Sequence, residues 1–82
     1  MEKYYDLLYC LNLEPEKSQR ALAVELGISL GQVNYMLRFL TEQGYLKKER
    51  RRHELTPQGQ DILENMARES RSQKLFLGSE NS

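Results

Sequence analysis

Three arginines stand in a row, Arg50-Arg51-Arg52, with Lys47 and Lys48 just ahead of them. Adjacent like charges repel unless an anion meets them, so the chemistry this cluster suits is phosphate binding. The alternative is a solvated turn, the ordinary fate of a charge run. Residues 47–56 hold five basic and two acidic groups, residues 1–46 four and six, and residues 57–82 three and four. A chain with a formal net charge of zero thus gathers its positive charge into ten residues. Catalytic chemistry has no comparable footing. There is no glycine-rich phosphate loop, and no serine or cysteine nucleophile has a base at a recognisable spacing. Glu14 and Glu16 flank Pro15 in a segment that reads as a solvated turn. One cysteine, Cys10, and one histidine, His53, exclude an intramolecular disulfide framework and leave few soft metal ligands. His53 reads as a hairpin residue. Cys10, between apolar neighbours, reads as a small buried hydrophobe, with redox sensing left open for an exposed thiol. The expectation is a binding protein with no catalytic residues, no cofactor and no metal.

The chain has 82 residues. That length supports a single domain, which buries about 60–65% of its unfolded surface and has no room for a two-lobed cleft. Hydrophobic residues at 39% and charged residues at 29% match a folded, helix-rich domain rather than a disordered segment. The longest apolar run, Leu7 to Leu11, is far short of the ~20 residues that span a bilayer. The opening Met1-Glu2-Lys3-Tyr4-Tyr5-Asp6 lacks the basic start of a secretory signal, so a cytoplasmic location with no membrane partner is expected.

Four helices and a hairpin must position the basic cluster. The first helix is expected from Glu2 to Leu13, ending ahead of Pro15. It carries two apolar stripes, Tyr4, Leu7, Leu8 and Leu11 on one and Tyr5, Tyr9 and Leu13 on the other, where a surface helix needs one. Ser18 is an N-cap for a second helix, Gln19 to Leu26, and Gly27 ends it. Ser29 to Gln32 has the form of a capping box opening a third helix that runs to about Gln43, with Gly44 as its stop. Leu30, Val33, Met36, Leu37 and Leu40 form its core stripe. Gly31, Asn34, Tyr35, Arg38 and Glu42 lie opposite, with Gln32 and Phe39 at an edge. Segments 45–49 and 53–56 then read as a hairpin around an Arg50-Arg51-Arg52 tip, which lacks the Asn-Gly or Asp-Gly of a two-residue turn. Thr56-Pro57 opens a fourth helix with an apolar stripe at Ile62, Leu63, Met66 and Ala67, expected to fray near Ser70–Ser72. Residues 1–72 are read as the domain and 73–82 as a short tail containing Leu75-Phe76-Leu77. The fold class is mainly α with a small β-hairpin, in the order α-α-α-β-β-α.

The run from Leu22 to Leu37, through Gly27-Ile28-Ser29, resembles the helix-turn-helix of bacterial transcription regulators. With Glu42-Gln43-Gly44-Tyr45-Leu46 and Leu55-Thr56-Pro57-Gln58-Gly59 after it, the chain resembles the winged helix-turn-helix of the MarR type. It is most similar to the small regulators associated with exopolysaccharide gene clusters. Similar modules also stand at the N-terminus of sugar- and choline-phosphate nucleotidyltransferases. The resemblance covers residues 5–68. It departs from typical MarR proteins in a stubby wing and a final helix that ends early.

The resemblance implies double-stranded DNA binding, with residues 29–43 as a recognition helix in the major groove and residues 47–54 as a basic wing. Gln32 and Asn34 would suit adenine edges, and Arg38 a guanine or a phosphate. Gln32 serves equally well as the closing residue of the capping box, and Arg38 as a partner for Glu42. Tyr35 would meet a thymine methyl or a phosphate, and Gly31 would let the backbone come close. Ser29 and the segment Ser18-Gln19-Arg20 would anchor phosphates at helix N-termini. Lys48, Arg50, Arg51 and Arg52 would reach backbone or minor groove. The second stripe of the first helix, the Ile62–Met66 region and Leu75–Leu77 point to a homodimer on a palindromic operator; no effector ligand is specified. The competing reading is a winged helix that binds protein or serves as a regulatory module of a larger enzyme, such as a nucleotidyltransferase. Neutral net charge and the short wing favour it.

Overall fold

A computed structural model describes the backbone of residues 2–81 and the side chains of residues 3–69. Its elements are α1 (Glu2–Leu13), α2 (Gln19–Leu26), α3 (Leu30–Glu42), β1 (Leu46–Glu49), β2 (Arg52–Leu55) and α4 (Pro57–Asn81). This is the expected order of a winged helix fold, three helices, a two-stranded antiparallel hairpin and a final helix.

Local chemistry sets the helix ends. The Ser18 hydroxyl accepts the Ala21 N–H at 3.1 Å and the Ser29 hydroxyl accepts the Gln32 N–H at 3.0 Å, each satisfying a first-turn donor. Gly27 (φ +69°) and Gly44 (φ +84°) adopt the left-handed conformation that closes α2 and α3. The turn between α2 and α3 is so short that the helices must cross, and their contact is lined by Leu22, Ala23 and Leu26 against Val33 and Leu37, all buried. Leu7, Leu8 and Leu11 of α1 close this core from beneath at 0–1% exposure. Each buried leucine contributes about 1.5–3 kcal/mol of transfer free energy.

Leu30 departs from the expected core stripe. It is 46% exposed, while Val33, Met36, Leu37 and Leu40 are buried. It occupies the first turn, so it overhangs the end of the core that Val33 enters one turn later. Phe39 at the stripe's edge is packed edge-to-face on Tyr4 of α1, with ring centroids 5.7 Å apart. The second stripe of α1 stays largely uncovered, with Tyr9 49% and Leu13 64% exposed. Ile62 and Met66, expected at a dimer surface, pack against this chain's own core.

The hairpin corrects the expected tip. Pairing runs from Leu46↔Leu55 to Glu49↔Arg52, so Arg52 is a strand residue and the tip is Arg50-Arg51 alone. Arg50 takes φ +53°, a positive φ at the first tip residue that lets a two-residue turn follow the strand twist. The final helix is also longer than expected. It continues past Ser70–Ser72 to Asn81, because serines lower helix propensity only by tenths of a kcal/mol and no proline or glycine intervenes before Gly78. The side chains of Leu75, Phe76 and Leu77 lie outside the described residues.

The wing and α4 are fastened together. The Thr56 hydroxyl donates to the Gly44 carbonyl at 2.6 Å and accepts the Gly59 N–H at 3.1 Å, capping α4. The Thr56 N–H donates to the Tyr45 carbonyl at 3.1 Å. Gly59 allows this approach, because a Cβ there would overlap the Tyr45 carbonyl.

Candidate nucleic-acid interface

The third helix presents a polar outer face. Gly31, Gln32, Asn34, Tyr35 and Arg38 are all exposed, Tyr35 to 63%. Among the described residues a Cβ added at Gly31 would meet only the Ser29 hydroxyl, at 4.0 Å, and none of them requires glycine at this helical position. The Ser29 half of the expected capping box is made. Among the described residues, no bond returns from the Gln32 side chain to Ser29, which leaves that amide unengaged.

Asn34 is engaged. Its Nδ2 donates to Oε1 of Gln19, at 3.3 Å, across the α2–α3 crossing. Both residues lie along a recess of about 260 Å³ where α2, α3 and the hairpin meet, with Arg38, Thr41, Lys48 and His53 also on its wall. The recess thus brings together Gln19, Asn34, Arg38 and Lys48 from three elements. Ser18, Arg20 and Ser29 are exposed at the starts of α2 and α3, where first-turn N–H groups have no carbonyl partner within their own helix.

The wing's cations divide by strand face. Side chains alternate along a strand, so Lys47, Glu49, Arg52 and Glu54 share the outer face of the hairpin. There Lys47 pairs with Glu49 at 2.8 Å and Arg52 with Glu54 at 2.9 Å, and Arg52 also stands 3.8 Å from Glu16. Lys48, Arg50 and Arg51 are exposed and have no carboxylate partner among the described residues. The alternative for Arg38, an ion pair with Glu42, is likewise not formed among the described residues. The three consecutive arginines are therefore not one cluster: two project at the tip and the third is held by carboxylates.

Two titratable groups lie behind this surface. His53 pairs with Lys48 across the strands and is buried, and its pKa is pushed down by that burial first and by the Lys48 charge second. The imidazole is thus neutral near pH 7 and offers no charge to an anion. On the far side, Cys10 is half-buried, and burial followed by the nearby Glu25 carboxylate raises its pKa. A thiol held protonated is a poor nucleophile. Among the described residues no group of His, Cys, Asp and Glu could hold a metal ion, and no helix is long and apolar enough to cross a membrane.

Sequence reasoning missed the Gln19–Asn34 bond and the burial of His53. The first joins residues 15 apart and leaves no local trace. The second has a partial signal, since strand alternation from Leu55 puts His53 on the core side.

A family model described as winged helix-turn-helix DNA-binding matches residues 5–47, just over half of the chain, from α1 to the start of β1. No curated protein matches the chain.

Proposed function

The chain belongs to the winged helix-turn-helix DNA-binding family, and from that premise we propose that it is a sequence-specific, cytoplasmic bacterial transcriptional regulator that acts by binding and not by catalysis. In this reading α3 enters the major groove, with Gln32, Asn34 and Arg38 at base edges and Tyr35 at a thymine methyl or phosphate. Ser18, Gln19, Arg20 and Ser29 anchor phosphates at the helix N-termini, and Lys48, Arg50 and Arg51 extend the footprint to the flanking backbone or minor groove. Arg52 follows its neighbours onto DNA only by leaving Glu54. The DNA-binding unit is taken as residues 1–72, with 73–82 as an appended segment.

The observation that carries the reading is the exposed polar face of α3 beside Lys48, Arg50 and Arg51, which have no carboxylate partner among the described residues. The MarR-type assignment, and within it the small exopolysaccharide-associated regulators, draws support from Gly44, Thr56 and Gly59. These residues of the quoted motifs fasten the wing to α4. Homodimerisation draws support from Tyr9 and Leu13, apolar and uncovered on α1. Two recognition helices about 34 Å apart then read a palindrome. A monomer by light scattering at micromolar concentration would remove that part of the proposal.

One observation favours a second reading, a winged helix that binds protein: Lys47 and Arg52, two of five wing cations, are committed to carboxylates. Fluorescence anisotropy with a pool of random duplex DNA, at low and near-physiological salt, separates the two. Binding that weakens steeply with salt, followed by selection of a preferred sequence from the pool, is the expected result. No binding at low salt would overturn the DNA reading in favour of a protein partner.

A further inference from the structure

A primary amide has a donor end and an acceptor end of nearly equal size, and its terminal torsion is broad. An exposed asparagine on a recognition helix therefore offers a base either end at similar cost. Asn34 differs, because its Nδ2 donates to Oε1 of Gln19 at 3.3 Å. If the Asn34 amide turned over, two carbonyl oxygens would face each other. Gln19 is half-buried at the first position of α2, and Asn34 is exposed on the outer face of α3. The outward-facing Asn34 thus donates to an acceptor on the more buried residue. The Asn34 amide keeps one N–H and its Oδ1 for an outside partner. That donor–acceptor pair is the complement of the adenine major-groove edge, with N7 accepting and N6 donating.

We infer that Gln19 is a positioning residue for base recognition, orienting the Asn34 amide so that α3 reads an adenine at one fixed place in its binding sequence. The inference rests on the proposed reading of α3 as the recognition helix and adds the residue that sets what Asn34 can read. It also separates two roles of one position: the backbone of Gln19 belongs to the helix N-terminus, whereas its side chain serves specificity.

The test is competition binding on the sequence selected by the wild-type protein, with each base pair replaced in turn. Asn34→Ala identifies the base pair that Asn34 reads, where the preference should fall by about 5- to 150-fold, the range for one bidentate contact. Gln19→Met keeps length and removes the acceptor. It should flatten the preference at the same base pair, and the double variant should be no flatter than Asn34→Ala alone. Gln19→Glu can only accept, so it should keep the preference at that pair while binding every sequence more weakly, as a carboxylate near phosphates must. Urea midpoints check folding of each variant, and Gln19→Ala replaces Gln19→Met if the latter does not fold. Gln19→Met weakening all sequences alike, with the preference intact, would overturn the inference and make the side chain a phosphate anchor. Flattening at a different base pair, or additive losses in the double variant, would overturn it as well. Failure of the wild-type protein to bind any duplex would remove the underlying reading, and is seen before any variant is made.

Discussion

The backbone N–H of His53 donates to the carbonyl oxygen of Pro15 at 3.0 Å, tying the return strand of the wing to the loop between α1 and α2. Arg52 adds a second tie, its guanidinium 3.8 Å from Glu16 in the same loop. The return strand is thus held near its tip end by a neighbouring loop, right up to the Arg50-Arg51 turn. These contacts add to the anchoring of the wing by buried Leu46 and by the Tyr45 N–H, which donates to the Leu40 carbonyl of α3 at 2.9 Å, because a two-stranded hairpin alone is marginally stable in water.

This division predicts unequal roles for three adjacent arginines. Replacing Arg50 and Arg51 together by alanine should reduce the salt dependence of DNA binding by up to about two units in the log–log slope, close to one per lost phosphate contact. Arg52→Ala should change the slope by much less, and stability by no more than about 1 kcal/mol, since its ion pairs are solvent-exposed. Anisotropy titrations across a salt series read both. Equal slope changes for all three would mean that Arg52 leaves Glu54 for phosphate.

Gly31 should separate folding from binding. Among the described residues nothing opposes a Cβ there, so Gly31→Ala should raise stability by up to about 0.5–1 kcal/mol through a less flexible unfolded chain and better helix propensity. DNA affinity should fall, because the added methyl stands where backbone and duplex are proposed to approach. Urea unfolding and anisotropy on the same sample test the opposite signs; an alanine variant that binds equally well would place Gly31 away from the contact.

Gly59 should behave in the reverse way. A Cβ at this position overlaps the backbone of Tyr45 and crowds Leu55, so Gly59→Ala must push α4 away from the wing. A loss of about 1–3 kcal/mol is expected, the usual cost of overpacking. A urea midpoint unchanged from wild type would show that α4 can shift without cost.

His53 predicts a pH dependence of stability. Its pKa is lowered in the fold by burial and then by Lys48, so the unfolded chain binds this proton more readily. Its contribution is fully present above the ordinary histidine value of about 6.5 and is lost as pH falls below it. The urea midpoint should therefore be lower at pH 5.5 than at pH 7.5. His53→Gln should flatten that difference, and an unchanged difference would assign the pH effect to carboxylates.

What the sequence made legible was local. Ser18, Ser29 and Thr56 are read as caps because their hydroxyls act within three residues, and Gly27 and Gly44 as stops because only their own φ is at issue. The spacing of Val33, Met36, Leu37 and Leu40 revealed a buried face, yet it could not show that Leu30 overhangs the core, since that depends on where the neighbouring helices end. The hairpin tip was misplaced by one residue because Arg50 takes a backbone conformation that its side chain gives no sign of preferring. Of the candidate site, residue types suggested the α3 face and the wing. The pairs Lys47–Glu49 and Arg52–Glu54 are neighbours two residues apart on one strand, visible only once the segments are known to be extended, whereas the contact of Arg52 with Glu16 and the bond from Asn34 to Gln19 join separate elements and arise only once the chain has folded.

The positive φ of Arg50 has a consequence for how freely this wing can vary. A left-handed backbone costs a residue with a Cβ roughly 1–2 kcal/mol that glycine avoids. A glycine there would ease the turn and lose the charge, whereas an arginine keeps the charge and bears the cost. Shape and electrostatics make opposing demands on one position, so drift toward an easier turn is also drift toward a weaker grip. Changes that redesign the hairpin for stability will tend to erase what its tip presents, unless the lost cation is restored at Arg51's side of the turn.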